Sequence, residues 1–322
     1  MVLDIQKLKI DFYTEQGVFS AVNELSLTLE PGEVLALIGE SGCGKSITAL
    51  SILGLLPPAA QSDPQSKIVF QGKDLARASL LELEEIRGRQ IGMVFQEPMT
   101  SLNPVFTIGN QVSEIFRKHL KIDKKAAKIK TLEILSRVQL PEPEKIYHQY
   151  PHELSGGMRQ RVVVAMAVAL NPALLIADEP TTALDVTIQA EIMRLFEDLK
   201  NHEQHETAVI FISHNLLLLK DFADRIAIMY LGEVVEEATT NDLFATPLHP
   251  YTQGLLAAIP YVGNEERLVD IPGTVPPLSQ IPSNQCRFYE RCSQRMARCL
   301  EAHPDFYGET EHRVRCYLYA KD

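Results

Sequence analysis

Residues 34–46 read VLALIGESGCGKS, and the fold turns on them. Val34–Ile38 is a short, wholly apolar run, the pattern of a strand buried on both faces. Gly39-Glu40-Ser41-Gly42-Cys43-Gly44-Lys45-Ser46 then satisfies G-x-x-x-x-G-K-[ST], and Lys45–Leu55 reads as a helix. A Gly-rich turn between strand and helix lets backbone N–H groups point inward and aims the helix's positive end at the same spot. That arrangement cradles phosphate oxygens. Lys45 is expected to reach the β- and γ-phosphates and the Ser46 hydroxyl to ligate Mg²⁺. Gly39, Ser41, Gly42, Cys43, Gly44, Lys45, Ser46 and Ile47 are therefore the candidate ATP contacts.

On either side of this unit, apolar runs alternate with helical patterns. Ile91–Phe95, Leu174–Ala177 and Ala208–Ser213 read as strands, and so does the alternating N-terminus MVLDIQKLKIDF. Arg159–Leu170, Thr187–Asn201 and Leu216–Ala223 read as helices. From Ile108 to about Val138 the pattern is helical, until Pro141, Pro143 and Pro151 break it. Strand–helix alternation predicts a mostly parallel α/β sheet. The strand at 174–177 runs into Asp178-Glu179. Beside a phosphate loop, Asp178 is the natural partner of the Mg²⁺ shell and Glu179 the candidate base for an attacking water.

The 322 residues are 45% hydrophobic and 23% charged, with a formal net charge of −11. That balance argues against a nucleic-acid binder, which carries a basic face. The longest apolar stretches, such as Val162–Leu170, fall well short of the roughly 20 residues a membrane span needs, and the N-terminus lacks the apolar block of a signal peptide. A cytosolic chain with peripheral membrane contact is the expectation. Near Pro247 the character changes to a proline-spaced tail, so a boundary is drawn at about residue 245. Cys43 stands alone, whereas Cys286, Cys292, Cys299 and Cys316 crowd into the tail with spacing C-x5-C-x6-C-x16-C. Four local cysteines in such a chain point first to a metal, either Zn²⁺ or an iron–sulfur cluster. The absence of a C-x2-C pair leans away from zinc.

Leu154-Ser155-Gly156-Gly157-Met158 precedes a helix and lies twenty residues ahead of the acidic strand. With this motif the chain resembles the ABC ATPase family. The resemblance implies that Ser155, Gly156 and Gly157 bind the γ-phosphate held by a partner domain, so that ATP is sandwiched in a dimer. It also implies that Gln96 ligates Mg²⁺ and senses the membrane subunit, that Asp185 crosses the dimer interface, and that His214 is the switch histidine contacting the γ-phosphate. An aromatic near the N-terminus is expected to stack on adenine; Tyr13 is chosen, with Phe12 and Phe19 open. QEPMTSLNP (96–104), LSGGMRQR (154–161), DEPTTALDVTIQ (178–189), HPYTQGLL (249–256) and the cysteine-bearing tail resemble the dipeptide/oligopeptide importer subfamily. Two departures stand out: Met158 replaces the glutamine of the wider family, and Asn215 follows His214 where Asp is usual.

The implied fold is α/β: a RecA-like P-loop ATPase core with an antiparallel β-subdomain and a helical signature subdomain at about 97–160, all within 1–245. A small Cys-rich C-terminal extension, 246–322, follows. The implied assembly is a second homologous ATPase subunit forming a heterodimer, two membrane permease subunits and an extracytoplasmic solute-binding protein, at the cytoplasmic face of the plasma membrane. The implied cofactors are ATP, Mg²⁺ and a [4Fe–4S] cluster, with zinc as the alternative. The implied cargo is di- or oligopeptide, with nickel or another small solute as the alternative. A nucleic-acid ABC ATPase would carry a long coiled coil or zinc insert between phosphate loop and signature, and neither pattern occurs here.

Overall fold

The alternating N-terminus folds into a long hairpin of β1 (Leu3–Thr14) and β2 (Gly17–Leu29). This is a computed structural model that describes residues 1–15, 17–96, 101–182, 184–200, 206–259, 271–278, 284–309 and 311–320. The expectations for residues 97–100, Ala183 and Asn201 lie outside the described residues. β3 (Val34–Ile38) follows the hairpin, and then come β4 (Ala60–Ser62), β5 (Lys67–Phe70) and β6 (Lys73–Asp74). One sheet is antiparallel, in the order β2-β1-β5-β6 with β4 also on β1.

The second sheet takes β3 together with β7 (Ile91–Val94), β8 (Leu174–Asp178), β9 (Ala208–Ser213), β10 (Arg225–Tyr230), β11 (Glu233–Thr239), β12 (Tyr307–Glu309) and β13 (His312–Val314). Its order is β12-β13-β11-β10-β3-β9-β8-β7, and the run from β10 to β7 is parallel. Every residue of β3 is buried. The pleat splits them by period two. Val34, Ala36 and Ile38 pack towards the helical side with Ala177 and Phe211, whereas Leu35 and Leu37 face the antiparallel sheet with Leu3, Ile5 and Leu27.

The helices follow the predicted pattern with local corrections. The helix after the phosphate loop covers Lys45–Ile52 and stops short of Leu55, because Gly54 turns left-handed at φ 62°. The helical stretch from 108 is two helices, Ile108–Leu120 and Lys124–Arg137. Lys121 takes a left-handed φ of 56°, and the Asp123 side chain accepts from Ala126 N–H at 2.8 Å to start the second helix. The signature helix begins three residues earlier than predicted, at Gly156, and runs to Val168. The stretch 216–223 is a single 3₁₀ turn at Leu217–Leu219 rather than a helix. Leu216, Leu219, Phe222 and Ala223 are the buried residues of this stretch.

The residues after 245 are stitched into the core. β13 pairs with β11, with Glu236 opposite Val314 and Ala238 opposite His312. Glu233, Glu236 and Glu237 on β11 are buried, and each meets a cation or imidazole from the tail. Glu233 lies 2.8 Å from Arg287 Nε and 2.6 Å from His303 Nε2; Glu236 lies 2.9 Å from His312 Nε2; Glu237 accepts from Arg313 Nε at 3.0 Å. Burial pushes the Glu233 carboxyl up, but the His303 hydrogen bond and the Arg287 charge outweigh it and hold it below the usual carboxylate value. Glu236 also accepts from the N–H groups of Leu248 and His249 at 2.7 and 2.8 Å, at the start of the helix Pro250–Ala257.

Glu236→Ala therefore removes the acceptor of the buried His249 amide and the part-buried Leu248 amide and is expected to lower stability by about 3 kcal/mol. Chemical denaturation of the variant checks this, and a loss below about 0.5 kcal/mol would show that the carboxylate is not the joint.

Candidate active site

β3, β9, β8 and β7 are neighbours in that order, and parallel strands bring their C-terminal ends to one edge. Such an edge is where open α/β sheets gather ligand-binding groups. The phosphate loop leaves the end of β3, Ser213-His214 the end of β9, Asp178-Glu179 the end of β8, and Gln96 follows β7. Residues spread over 175 positions of sequence thus meet because four strands share a register.

The loop wraps the first turn of its helix. Gly44, the helix N-cap, takes φ 105°, and a Cβ there would stand 2.5 Å from the Ala21 carbonyl oxygen. Lys45 is 4% exposed and folds its ammonium back over the loop, donating to the carbonyls of Gly39 at 2.7 Å and Glu40 at 3.0 Å. Ser46 Oγ donates to Asp178 Oδ1 at 3.0 Å, so hydroxyl and carboxylate stand side by side. Burial pushes the Asp178 carboxyl up, and the Ser46 hydrogen bond works against it.

Glu179 sits at a left-handed φ of 46°, uncommon for a residue with a Cβ. Its N–H donates to Ile212 of the neighbouring strand at 3.0 Å, which keeps it there. Its Oε2 accepts from Thr182 Oγ1 at 2.8 Å and from Gln96 Nε2 at 3.3 Å, and lies 3.4 Å from His214 Nδ1. Three of the residues singled out by sequence, Gln96, Glu179 and His214, are therefore one contact set. Asn215 turns its side chain to accept from Leu217 N–H at 3.1 Å, which begins the 3₁₀ turn.

A cleft of about 450 Å³ lies over these groups, within the range of small-molecule sites. Ser41, Gly42, Gly44, Lys45, Ser46, Ile47, Gln96 and Glu179 line it, as do Phe12, Phe19 and Leu278. Gly39 and Cys43 lie beneath the loop. A Cβ on Gly39 would meet the Met229 carbonyl oxygen at 2.2 Å, and Cys43 is 3% exposed. Burial raises the Cys43 thiol pKa, with the Lys45 charge opposing. A cleft of about 520 Å³ beside Phe106, Asn110, Glu114 and Arg117 lies on the helical segment, away from the loop.

Of the three N-terminal aromatics, Phe12 and Phe19 line the cleft, whereas Tyr13 is half exposed and does not. Neighbouring strand residues point to opposite faces, so one step along β1 brings Phe12 inward instead. Phe12 pairs with Phe19 across the hairpin, their rings 6.0 Å apart and nearly parallel at 9°. The signature residues stand elsewhere: Ser155 is exposed, its Oγ accepts from Met158 N–H at 3.2 Å, and neither it nor Gly156 nor Gly157 lines the cleft. Exposed Asp185 caps the helix Val186–Lys200 by accepting from Ile188 N–H at 2.9 Å.

The tail thiols share one neighbourhood. Cys286 N–H donates to the Cys299 carbonyl at 2.9 Å. Burial first, and then the other three thiols, push Cys286 up to about 12; burial and the thiols of Cys292 and Cys299 push Cys316 up to about 11. Among the described residues no group of three or more His, Cys, Asp or Glu stands close enough to hold one metal ion. The described residues also contain no helix long and apolar enough to cross a membrane.

Sequence reasoning passed over Glu40, Thr182 and Leu278. Thr182 lies within the DEPTTALDVTIQ stretch and could have been read from it, but nothing in the tail's composition marks Leu278 as a cleft wall.

Residues 22–182 match the family model described as ABC transporter, and residues 235–299 match the one described as oligopeptide/dipeptide transporter, C-terminal region. An oligopeptide transport ATP-binding protein of Bacillus subtilis is 46% identical, over 100% of this chain and 90% of that protein. A dipeptide transport ATP-binding protein of the same organism is also 46% identical, over 98% and 94%. Among solved structures, the dimeric post-hydrolysis state of an ATP-binding cassette bound to ADP and Pi superposes with a TM-score of 0.65 at 28% identity, covering 74% of this chain and 98% of that one.

Two glycine substitutions separate close approach from backbone strain. Gly42→Ala, at φ 80° with open space around the Cβ, is expected to cost about 1 kcal/mol of stability and keep nucleotide binding. Gly44→Ala drives a Cβ into backbone and is expected to abolish nucleotide binding. Calorimetric titration with MgATP checks both, and equal affinities would contradict this account of the loop.

Proposed function

Because the chain belongs to the ABC transporter family, we propose that its ATP hydrolysis drives import of di- or oligopeptides through membrane permeases. The chain is an ATPase of that family. The observation that carries the reading is the gathering of Lys45, Ser46, Asp178, Glu179, Gln96 and His214 on one strand edge. The peptide assignment draws on the tail match at 235–299 and on relatives named for oligopeptide and dipeptide transport.

In this reading the phosphate loop, from Gly39 to Ile47, binds the triphosphate, with Lys45 leaving its loop carbonyls for the β- and γ-phosphates. Phe12 or Phe19, rather than Tyr13, stacks on the base. The oxygen donors Ser46 and Gln96 suit Mg²⁺, with Asp178 accepting from Ser46 behind them. A bound Mg²⁺ supplies charge neutralisation of the phosphates. Glu179 takes the proton of the attacking water, held in place by Thr182 and Gln96, and His214 contacts the γ-phosphate. Positioning and charge stabilisation do most of the work in such a transfer. Ser155, Gly156 and Gly157 stand outside this cleft, which supports their use on the ATP of a partner subunit, with Asp185 at the shared interface. We read that partner as a second homologous ATPase, and the assembly as completed by two permeases and an extracytoplasmic solute-binding protein at the cytoplasmic membrane face.

For the tail we propose a [4Fe–4S] cluster on Cys286, Cys292, Cys299 and Cys316. The reading draws on four thiols in one short segment, on the Cys286 N–H donating to the Cys299 carbonyl at 2.9 Å, and on the lack of the C-x2-C pair usual in zinc sites. Such a cluster supplies cross-linking to a small, proline-rich segment.

Glu179→Gln keeps the shape and removes the base. ATP binding is expected to survive while turnover in the assembled transporter falls by roughly 10²–10⁴; near-normal hydrolysis would sink the role. Anaerobic purification with iron, sulfide and zinc analysis tests the tail, where labile sulfide near stoichiometry with iron is expected. Stoichiometric zinc without sulfide would replace the cluster.

A further inference from the structure

We propose that the C-terminal extension is a working part of the nucleotide site, with Arg291 as the positioning residue of the phosphate loop through Glu40. The proposal rests on reading that loop as the ATP site. Glu40 is the second residue of the loop, and its side chain leaves the core towards the tail. Arg291 meets it fork to fork, Nη1 to Oε2 at 2.7 Å and Nη2 to Oε1 at 3.1 Å. A bidentate guanidinium–carboxylate pair fixes orientation as well as distance. The Arg291 side chain is 6% exposed, and its guanidinium lies over the Tyr230 ring, 5.7 Å from the centroid.

The extension also holds the Glu40 backbone. Its N–H donates to Tyr251 Oη at 3.2 Å, from a fully buried tyrosine on the helix Pro250–Ala257. Its carbonyl accepts from Lys45 Nζ at 3.0 Å. Glu40 is thus held at three points, two by the extension and one by the lysine that serves phosphate. Glu40 precedes Ser41 and Gly42 in the loop, so any drift of its peptide moves the loop amides that face the phosphates.

A second link runs through the same arginine. Arg291 Nε donates to the Pro272 carbonyl at 3.1 Å, and Leu278, further along the same segment, lines the cleft. One guanidinium therefore anchors both the loop under the phosphates and the tail segment that walls the site. Arg291 precedes Cys292 in the 3₁₀ turn Tyr289–Arg291, so the packing of the cysteine segment aims it.

A merely structural ion pair would hold the tail on without tuning the loop, and Arg313 provides that control. It pairs with Glu237 at the same tail–core joint, on the sheet rather than on the loop. The experiment measures Kd for MgADP by calorimetric titration, together with Tm, on the full chain. Arg291→Met is expected to raise Kd about tenfold, and Arg291→Lys, which keeps the charge but not the fork, to fall between it and wild type. Glu40→Gln should weaken binding as Arg291→Met does, and the double variant no further, since both act through one contact. Arg313→Met should lower Tm and leave Kd unchanged.

Wild-type affinity in Arg291→Met would overturn the proposal. If that variant does not fold, wild-type affinity in Glu40→Gln does so instead. An equal rise of Kd in Arg313→Met would also overturn it, by reducing the effect to general loosening. Lys45→Ala keeps the two readings apart. Retained MgADP binding there overturns the nucleotide site and this proposal with it, whereas lost binding beside a normal Arg291→Met overturns this proposal alone.

Discussion

The parallel ladder joining Val34–Ile38, Ala208–Ser213, Leu174–Asp178 and Ile91–Val94 is the constraint from which the site follows. Ile38 pairs with Ser213, Asp178 with Ile212, and Val94 with Ala177, so the next residues along each strand emerge within reach of one another. The side-chain contacts come after the register. Ser46 reaches Asp178 across the intervening strand, and Glu179 is held in its left-handed turn by the Ile212 carbonyl. A slip of one residue in Leu174–Asp178 would turn Asp178 to the opposite face of the sheet.

The outer edge of the same sheet is managed with charge. β11 carries Glu233, Glu236 and Glu237 inside the protein, where unpaired carboxylates would be costly. The tail supplies Arg287, His303, His312 and Arg313 and adds β13 to the open strand edge. Pairs of this kind add little net stability over apolar packing, but removing one partner strands the other. They therefore make docking of the tail specific more than they make it tight. The fork between Arg291 and Glu40 extends this joint from the sheet edge to the phosphate loop.

The phosphate loop, the acidic strand end, the signature and the five-residue strands were legible because each is a local pattern. A glycine spacing, an apolar run or an N-cap serine needs no distant partner to be recognised. Ser155 was read with its helix, although the cap at Met158 N–H lengthens that helix by one turn. The stretch 216–223 reads as a helix because LLLLKDFA is rich in helix-forming residues, whereas the Asn215 side chain, accepting from Leu217 N–H, starts a tighter 3₁₀ turn. Which of Phe12 and Tyr13 faces the cleft is not legible locally, because the phase of β1 against the core depends on the β1–β2 pairing and neighbouring residues face opposite ways.

By itself the sequence determined the class of fold, the phosphate loop, the carboxylates after Ile176-Ala177 and the concentration of cysteines in the tail. Local periodicity and fixed motif spacing encode each of these within a dozen or so residues. Only the tertiary structure decided that EVVEEAT is a buried strand, because the partners of its glutamates lie more than fifty positions away in the tail. It alone decided that Phe12 and Phe19 line the cleft with Leu278, and that Glu40 is tied to Arg291 across 251 residues. The physical reason is common to all of these. A charge can be buried, or an aromatic turned inward, only where a distant segment arrives to complete it, and no local pattern records that arrival.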